Sequence, residues 1–400
     1  EQAWLRLKPY LSPIERVERV ATTEALGRVL SEDISAPENL PSFSRSSMDG
    51  YAVLAADTHG ASDSLPAYLR VIGEITMGRE SDITLSTGEA VLVHTGGQLA
   101  VGSDAVVILE NTRQIDDSTI EVFRPVACGE NILQVGEDVN QGERILDRGH
   151  LIRPQSIGGL LALGITQVEV FQKVRVAIIS TGDELVSPED KPKPGQIRDA
   201  NTYTLSGLTL IAGGVPLLMG IVEDDYQSLR EAAERGVREA DLVVISAGSS
   251  VSTRDLTAQV ISSLGEPGIL VHGVSLKPGK PTILASVDGK PFFGLPGNPG
   301  SALLTFILFV VPSIHKRSGC SSHYQPYSIQ AKLNRNIPSA SGREDYIPVR
   351  IEERDSETWA DPIFGKSNLI STLIKANGIA KVPLDKAGMQ TGEMVMVRIF

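Results

Sequence analysis

The sequence predicts a multidomain protein of class α/β plus β, with a mostly parallel α/β sandwich domain in the middle of the chain. Between Val174 and Lys316, apolar β-branched runs such as VRVAIIS and DLVVIS alternate with helix-like patterns, which is typical of βαβ units. Residues 66–134 alternate short β-like runs with Gly and Asp turns, which indicates an inserted β-rich domain. From Ser321 onward, short strand-like runs surround one helix-like stretch, which favours a small β-barrel or sandwich domain.

The composition is that of a globular protein with an acidic surface. The 400 residues are 41% hydrophobic and carry a net charge of −12, which fits roughly two to four domains. Because nonspecific nucleic-acid binding needs basic surface, the acidic balance argues against a nucleic-acid partner. Cys128 and Cys320 match no metal or redox spacing, and the start EQAWLRLKPYL lacks a signal-peptide pattern. A cytoplasmic setting is therefore predicted.

The longest apolar run, ALLTFILFVV, precedes Pro312. It is too short to span a bilayer, so the sequence predicts a buried core helix over about 301–311 and no membrane partner. Nearer the start of the chain, apolar positions at helical spacing over residues 14–33 predict a helix with a short extended start.

The segments before and after the inserted domain contain loops with polar motifs. Met48-Asp49-Gly50-Tyr51 ends a proline-containing loop, and its simplest interpretation is a turn, since Asp-Gly is a common turn pair. Glu137-Asp138 lies in a loop and is, by default, a solvated acidic turn. A helix follows from about Pro154 to Gly164. The order of these segments predicts that they pack with the first residues of the chain around residues 41–134.

Polar candidate residues of the central segment stand at strand ends or at the helix starts that follow them. In an open parallel sheet, ligands bind beyond the carboxyl ends of the strands, so these side chains are expected to share one pocket. No G-x-G-x-x-G follows the first strand and GLPGNPGS lacks a Walker ending, so neither a dinucleotide fold nor a P-loop is supported. The candidates are Thr181, Asp183, Glu184, Asp199, Asn201, Ser246, Gly248, Asp255, Lys277, Lys280, Gly297 and Asn298.

The residue types at these positions point to a phosphorylated small molecule. Lys277 and Lys280 in KPGKP are compact charges suited to phosphate. The helix start after Gly297-Asn298-Pro299 is expected to offer free backbone N–H groups to an anion. Carboxylates beside a phosphate require a divalent cation, and Mg²⁺ binds through a few carboxylates plus ligand phosphates. The alternative interpretation is that the lysines are solvated and that Asp199 and Asp255 are helix caps.

Seven motifs in order resemble one family, the molybdopterin molybdenumtransferases, and are similar to the E domain of gephyrin. The resemblance covers nearly the whole chain. The motifs are Met48-Asp49-Gly50-Tyr51-Ala52, Thr95-Gly96 with Ala105-Val106-Val107, Gly136-Glu137-Asp138, Ser180-Thr181-Gly182-Asp183-Glu184-Leu185, Gly195-Gln196-Ile197-Arg198-Asp199, Lys277-Pro278-Gly279-Lys280-Pro281 and Gly294-Leu295-Pro296-Gly297-Asn298-Pro299.

The resemblance implies four domains and a homodimer with its active site between subunits. The reaction it implies converts adenylylated molybdopterin and molybdate to molybdenum cofactor and AMP, requires Mg²⁺, and depends on an upstream enzyme of the molybdopterin adenylyltransferase type. The implied domains are an elongated dimerisation and linker domain (1–40 and 135–170), the inserted β-rich domain (41–134), the molybdopterin-binding α/β domain (171–320) and the C-terminal β domain (321–400).

The resemblance also implies roles for individual residues. Mg²⁺ would be held by Glu184, Asp199 and Asp255, with Asp183 ordering the nucleotide. Lys277 and Lys280 would contact phosphate or molybdate, while the partner subunit would supply the residues that align with Asp49, Thr95 and Asp138 of this sequence. The remaining substrate-binding residues would be Thr181, Gly182, Asn201, Ser246, Gly248, Pro296, Gly297, Asn298, Pro299 and, in the Ser-containing C-terminal loop, Ser367 and Ser371.

Three departures from the family pattern keep alternatives open. They are Ser44, the Ser252-Thr253-Arg254 loop, and the absence of proline after Leu99. The second leaves open how Asp255 is presented and whether molybdate or tungstate is preferred, because side chains restrict a loop that approaches a ligand closely. A noncatalytic, peptide-binding scaffold is the alternative from another class, and an adenylyltransferase that uses only the α/β domain is a third. The full acid and lysine set favours the enzyme.

Overall fold

A computed structural model of the chain describes residues 2–247, 251–322 and 327–399, without the side chains of residues 251–254. The chain divides into two compact units. The first comprises Glu1–Glu32, Arg148–Pro154 and Gln167–Phe400, and the second comprises Asp33–Asp147 and Gln155–Thr166. The four-domain division remains a prediction.

The first part of the chain is built mainly of short strands. Short 3₁₀ turns cover Lys8–Tyr10, Thr22–Glu24, Ala55–Thr58 and Leu109–Asn111. The helices and strands are α1 (Gln2–Leu7), β1 (Val17–Ala21), β2 (Ile34–Ser35), β3 (Arg45–Ser46), β4 (Gly50–Val53), β5 (Ala67–Glu74), β6 (Glu89–Val93), β7 (Ala105–Ile108), β8 (Thr112–Asp116), β9 (Thr119–Val122), β10 (Ile132–Leu133), β11 (Arg144–Leu146), α2 (Pro154–Ala162) and β12 (Gln167–Phe171).

The helix predicted over residues 14–33 is wrong. Residues 17–21 form β1, which pairs antiparallel with β12 so that Val17 lies opposite Phe171. Gly27 then adopts a positive φ of 72°, which interrupts helical geometry. Pairing with a strand about 150 residues away therefore overrides a weak local helical pattern. Within the second unit β2 pairs with β11, so strand pairing joins the start of the chain to later segments, as their order predicts.

The second unit contains the inserted β-rich region. Its six-stranded mixed sheet has the order β7-β4-β6-β5-β9-β8. Alternate residues of β4 enter different cores, since Tyr51 and Val53 pack on one face and Ala52 on the other. This alternation is what a strand buried on both faces requires.

The first unit is dominated by the central α/β segment. Its elements are β13 (Arg175–Thr181), β14 (Leu185–Val186), β15 (Ile197–Arg198), α3 (Asn201–Ile211), β16 (Val215–Val222), α4 (Tyr226–Glu239), β17 (Leu242–Ala247), α5 (Val251–Leu264), β18 (Pro267–His272), β19 (Leu276–Lys277), β20 (Ile283–Val287), β21 (Lys290–Pro296), α6 (Pro299–Thr305), a π-helical turn (Phe306–Val310) and α7 (Val311–Arg317).

The central sheet is mixed, with the order β16-β13-β17-β21-β20-β18. Strands β16, β13, β17 and β21 are parallel, whereas β20 pairs antiparallel with β21 and β18 pairs antiparallel with β20. Val176 and Ile178 of β13 belong to the core on one face, while Ala177 and Ile179 belong to the core on the other. Both faces are therefore covered, as a parallel sheet requires.

The helix after β21 is longer than the predicted 301–311. It continues to Arg317 because Pro312 follows a π-helical turn, in which the N–H of Val311 donates to the carbonyl of Phe306. A π-turn accommodates a residue that cannot make the regular bond. By length and apolar composition, Pro299–Arg317 could cross a membrane, but 67% of its apolar window is buried inside the fold, which is typical of a core helix.

The C-terminal region forms a closed five-stranded barrel. Strands pair in the ring β24-β25-β22-β28-β26-β24, around a core that includes Leu333, Val349 and Val397. The elements are β22 (Ser328–Leu333), β23 (Ile337–Pro338), β24 (Glu344–Arg354), β25 (Glu357–Pro362), α8 (Ile370–Lys375), β26 (Gly378–Val382), β27 (Gly388–Met389) and β28 (Met394–Ile399).

Candidate functional site

The carboxyl ends of the parallel strands meet at one edge of the central sheet. Thr181 at the end of β13 lies opposite Ala247 of β17, and Ala247 lies opposite Pro296 of β21. The polar residues predicted to follow these strands therefore begin at one edge, as the alternation of strands and helices predicts.

Asn201 ties three of these segments together. Its side-chain amide donates to the Ser246 hydroxyl and to the Gly297 carbonyl, both at 2.8 Å. The end of β17, the start of α3 and the loop after β21 are thus joined by one residue. Asn201, Ser246 and Gly297 were all predicted from the sequence, and the structure brings them into direct contact.

The loop after β13 is bound to the loop after β16 by Asp224, a residue that the sequence analysis missed. The Thr181 hydroxyl donates to the Asp224 carboxylate at 2.7 Å, and the Asp183 carboxylate accepts the Asp224 N–H at 3.1 Å. The Glu184 carboxylate folds back over Gly182, where an added Cβ would lie 2.8 Å from Glu184 Oε2. An added methyl group at position 182 would displace the flexible end of the Glu184 side chain. Acidic residues directly follow the edge strand β16, and this pattern in the sequence could have identified Asp224 as a candidate.

The three predicted metal ligands do not form a preformed cluster. Asp199 is 5% exposed, and its Oδ1 accepts the Thr202 N–H at 3.1 Å, which is the helix-capping interaction. Asp255 is exposed in the second turn of α5. In the described part of the chain, no three His, Cys, Asp or Glu side chains converge on a possible metal position. Gly248 and the side chains of Ser252, Thr253 and Arg254 lie outside the described residues.

An open cleft of about 1240 Å³ lies within the first unit, with walls from the α/β segment and from the barrel. Pro299 and Ser371 are not part of its lining. The barrel also contributes Arg343 and Lys366, two cations that the sequence analysis missed. The predicted site residues that line the cleft are Lys277, Lys280, Pro296, Gly297, Asn298 and Ser367.

The lysine loop KPGKP is pressed against α6. Gly279 has a φ of 113°, and a Cβ there would lie 2.5 Å from the Thr305 methyl group. Only glycine fits this combination of backbone conformation and close contact. Lys277 and Lys280, on either side, are exposed toward the cleft that they line.

The prediction that the start of α6 offers free N–H groups is wrong. The Gly300 N–H donates to the Ser367 carbonyl at 2.9 Å, and the N–H groups of Ser301 and Ala302 both donate to the Asn298 carbonyl. Pro299 has no N–H to offer. Positive charge in this cleft therefore comes from side chains. The same Gly300 bond holds the Ser367 segment against α6.

Asp49 and Thr95 form a bonded pair in the second unit. The Asp49 carboxylate accepts the Thr95 N–H at 2.7 Å and its hydroxyl at 3.0 Å. These two bonds, aided by the nearby His94, hold the pKa of Asp49 below its usual value. Asp138 is exposed, its N–H donates to the Leu40 carbonyl, and the structure gives it no bond to Asp49 or Thr95.

Comparisons with known proteins match three successive segments of the chain to family models. Residues 1–164 match the MoeA N-terminal region (domain I and II), residues 177–316 match a probable molybdopterin binding domain, and residues 330–400 match the MoeA C-terminal region (domain IV). A putative molybdopterin biosynthesis protein of Methanocaldococcus jannaschii is 36% identical, over 98% of this chain and 94% of the relative. A molybdopterin molybdenumtransferase of Nostoc is 33% identical, over 98% and 90%.

The chain belongs to the molybdopterin molybdenumtransferase (MoeA) family. A crystal structure of the molybdopterin biosynthesis MoeA protein of Pyrococcus horikoshii is similar over 100% of this chain and 98% of that chain, with a TM-score of 0.87 and 34% identity. The resemblance stated from seven motifs is confirmed, and so is the MoeA-like multidomain fold. The cleft of this family member lies between regions that match the molybdopterin binding domain and the MoeA C-terminal region.

Proposed function

We propose that this chain is a molybdopterin molybdenumtransferase that inserts molybdenum from molybdate into adenylylated molybdopterin and releases AMP. The observation that carries the proposal is the cleft lined by Lys277, Lys280 and Ser367 beside the strand ends. Full-length similarity to proteins of that name supports it. The barrel wall of the cleft argues against an adenylyltransferase that needs only the α/β domain.

Some side chains of the proposed site would compensate charge, and others would hold neighbouring segments in position. Lys277 and Lys280 would offset the negative charge of molybdate and of the departing AMP, because cations beside the reacting groups stabilise developing charge. Asn201 holds Ser246 and the Gly297 loop in place, so the nucleotide-facing edge is rigid. Thr181, Gly182 and Asp183 would shape the edge beside it.

Mg²⁺ is proposed as the cation of this site. Asp199 accepts the Thr202 N–H at the start of α3 through Oδ1 and makes no hydrogen bond through its second carboxylate oxygen among the described residues, while the Glu184 carboxylate lies in the adjoining loop. Such hard oxygen donors suit Mg²⁺, which commonly takes one or two carboxylates together with substrate phosphates. Because Glu184, Asp199 and Asp255 do not converge in this structure, they would hold Mg²⁺ only together with the substrate phosphates, and the ion would neutralise charge on the phosphoanhydride.

A homodimer is proposed, with Asp49, Thr95 and Asp138 completing the site of the neighbouring subunit. An upstream molybdopterin adenylyltransferase would supply the substrate. A cytoplasmic location, without nucleic-acid or membrane partners, accords with the acidic composition and the buried long helix.

AMP release from adenylylated molybdopterin, with Mg²⁺ and either molybdate or tungstate, tests this function. We expect turnover by the unaltered chain and a loss of about 10²-fold or more in Asp49→Ala, Glu184→Ala and Lys277→Ala, with folding intact. Lys332→Ala is the matched control, because Lys332 pairs with Glu357 in the barrel and does not line the cleft.

The assays with molybdate and with tungstate distinguish the molybdate-dependent enzyme from the alternative functions. Faster turnover with tungstate would identify a tungstate-preferring member of the family. No AMP release with either oxyanion, from a folded dimer, would contradict the enzyme and favour the noncatalytic scaffold. Normal turnover by all three variants would contradict the assignment of the site.

A further inference from the structure

One carboxylate beside the cleft is wholly buried and forms ion pairs with two cationic side chains. Asp345, in β24, is 0% exposed. Arg343 donates through Nε to Oδ1 at 2.8 Å and through a terminal nitrogen to Oδ2 at 3.4 Å, and Lys277 Nζ lies 3.8 Å from the same Oδ2. Parallel pairing of β19 with β24 places Lys277 directly opposite Asp345. The contact therefore joins the lysine loop to the barrel.

The two cations differ from Asp345 in exposure. The Lys277 and Arg343 side chains are 56% and 38% exposed, and both line the cleft, whereas the carboxylate that they share does not. A buried carboxylate is strongly unfavourable unless it is paired and hydrogen-bonded, which these two partners accomplish. The three groups together carry one net positive charge.

Removal of the carboxylate would leave two like charges close together on long, flexible side chains. They would repel each other and lose the geometry that the shared partner imposes. A pair of cations held at a defined separation binds an oxyanion better than two mobile ones, because less side-chain freedom is lost on binding.

We propose that Asp345 is a positioning residue for oxyanion binding, acting through Lys277 and Arg343. It touches no substrate itself. It holds both cations at one wall of the cleft and makes that wall depend on the docking of the barrel. The nature of the oxyanion, molybdate, rests on the proposed function.

The test is the KM for molybdate and the kcat of AMP release in the full-length chain. Asp345→Asn preserves size and one hydrogen-bond acceptor but removes the charge. We expect about a tenfold rise in the KM for molybdate, with a smaller change in kcat, since charged hydrogen bonds of this kind are worth about that factor. Asp361→Asn is the matched control, because it removes another barrel carboxylate, bound to Arg335 at 2.9 Å and outside the cleft.

A double-mutant cycle separates positioning from simple structural loss. If Asp345 acts through Lys277 as well as Arg343, Asp345→Asn raises the KM by a smaller factor in the Lys277→Met background than in the unaltered chain, because only its effect through Arg343 remains. Should Asp345→Asn fail to fold in thermal unfolding, the cycle of Arg343→Gln with Lys277→Met takes its place. Both of those side chains are partly exposed, and the shared carboxylate predicts the same non-additivity.

The outcomes distinguish the two proposals. A raised KM in Lys277→Met with an unchanged KM in folded Asp345→Asn would overturn the positioning role and leave the proposed function intact. Additive effects in the cycle would also overturn it. An unchanged KM in Lys277→Met would overturn both, since the lysine would then have no part in molybdate binding.

Discussion

Asp49 lies in a turn motif, and its carboxylate accepts hydrogen bonds in a fixed position. The Asp-Gly pair ends a loop, and Gly50 begins β4, where an added Cβ would lie 2.1 Å from the Val107 carbonyl oxygen. The carboxylate then accepts two bonds from Thr95, so Asp49 is fixed although it is well exposed. Asp49 can therefore belong both to a turn and to a site, because the turn backbone holds its carboxylate in one position.

We predict that Asp49 titrates below its usual pKa of 3.8 and that Thr95→Val raises this pKa. The Thr95 bonds favour the charged carboxylate, so their contribution is present above pH 3.8 and is lost as the pH falls through the lower, folded-state pKa. A carboxyl NMR titration measures the shift.

Thr112→Val is the control for this titration, because within the described residues the Thr112 hydroxyl donates only to the Leu109 carbonyl. It should leave the pKa of Asp49 unchanged. An Asp49 pKa at or above 3.8 in the unaltered chain would contradict the prediction.

The helix after β21 is the element that organises the cleft. Its first turn is occupied by bonds from Gly300, Ser301 and Ala302, and its body is buried in the larger core of the first unit. The Ser367 segment is held through the Gly300 N–H, and a Cβ at Gly300 would approach the Ser367 carbonyl oxygen to 3.1 Å. That contact is tight enough to displace the segment by a few tenths of an ångström.

We predict that Gly300→Ala weakens this bond and speeds hydrogen exchange of the residue-300 amide by several-fold. The added methyl group pushes against a backbone oxygen, and this amide has no other acceptor among the described residues. Exchange measured by mass spectrometry or NMR checks it. The control is Gly159→Ala in α2, where an added Cβ meets nothing within 4 Å. Equal protection of the amide in Gly300→Ala would show that the segment adjusts without loss of the bond.

The predicted site residues of the whole molecule belong to two compact units. Lys277 belongs to the first unit and Asp49 to the second. A site completed by a neighbouring subunit would make activity depend on association, because each site would then need residues from two chains. Closed homodimers are the commonest way to build such a shared site.

Mixing of inactive subunits tests the shared site. If each site takes Lys277 from one subunit and Asp49 from its partner, dimers of Asp49→Ala with Lys277→Ala subunits contain one intact site. After random exchange half the dimers are mixed, so roughly a quarter of wild-type activity should return. No recovery from a mixture shown by sedimentation to contain dimers would place the whole site within one subunit, and a monomer at micromolar concentration would contradict the dimer itself.

The sequence by itself determined the features that depend on residues close together along the chain, namely strands, helices and motifs. The alternation of β-branched runs with helical patterns predicted β13, β17 and β21, and their parallel pairing placed Thr181, Ser246 and the Gly297 loop at one edge. The motifs likewise indicated the family. The glycine in KPGKP was identifiable because close backbone approach leaves no room for a side chain.

Only the tertiary structure decided which polar groups are available and which are already paired. The N–H groups at the start of α6 are occupied by bonds, Asp199 caps α3, and residues 17–21 became a strand through a partner far along the chain. Arg343 and Asp345 join Lys277 although they lie more than 60 residues away in sequence. Pairing energies depend on distances in space, and a charge pattern along the chain does not specify these distances.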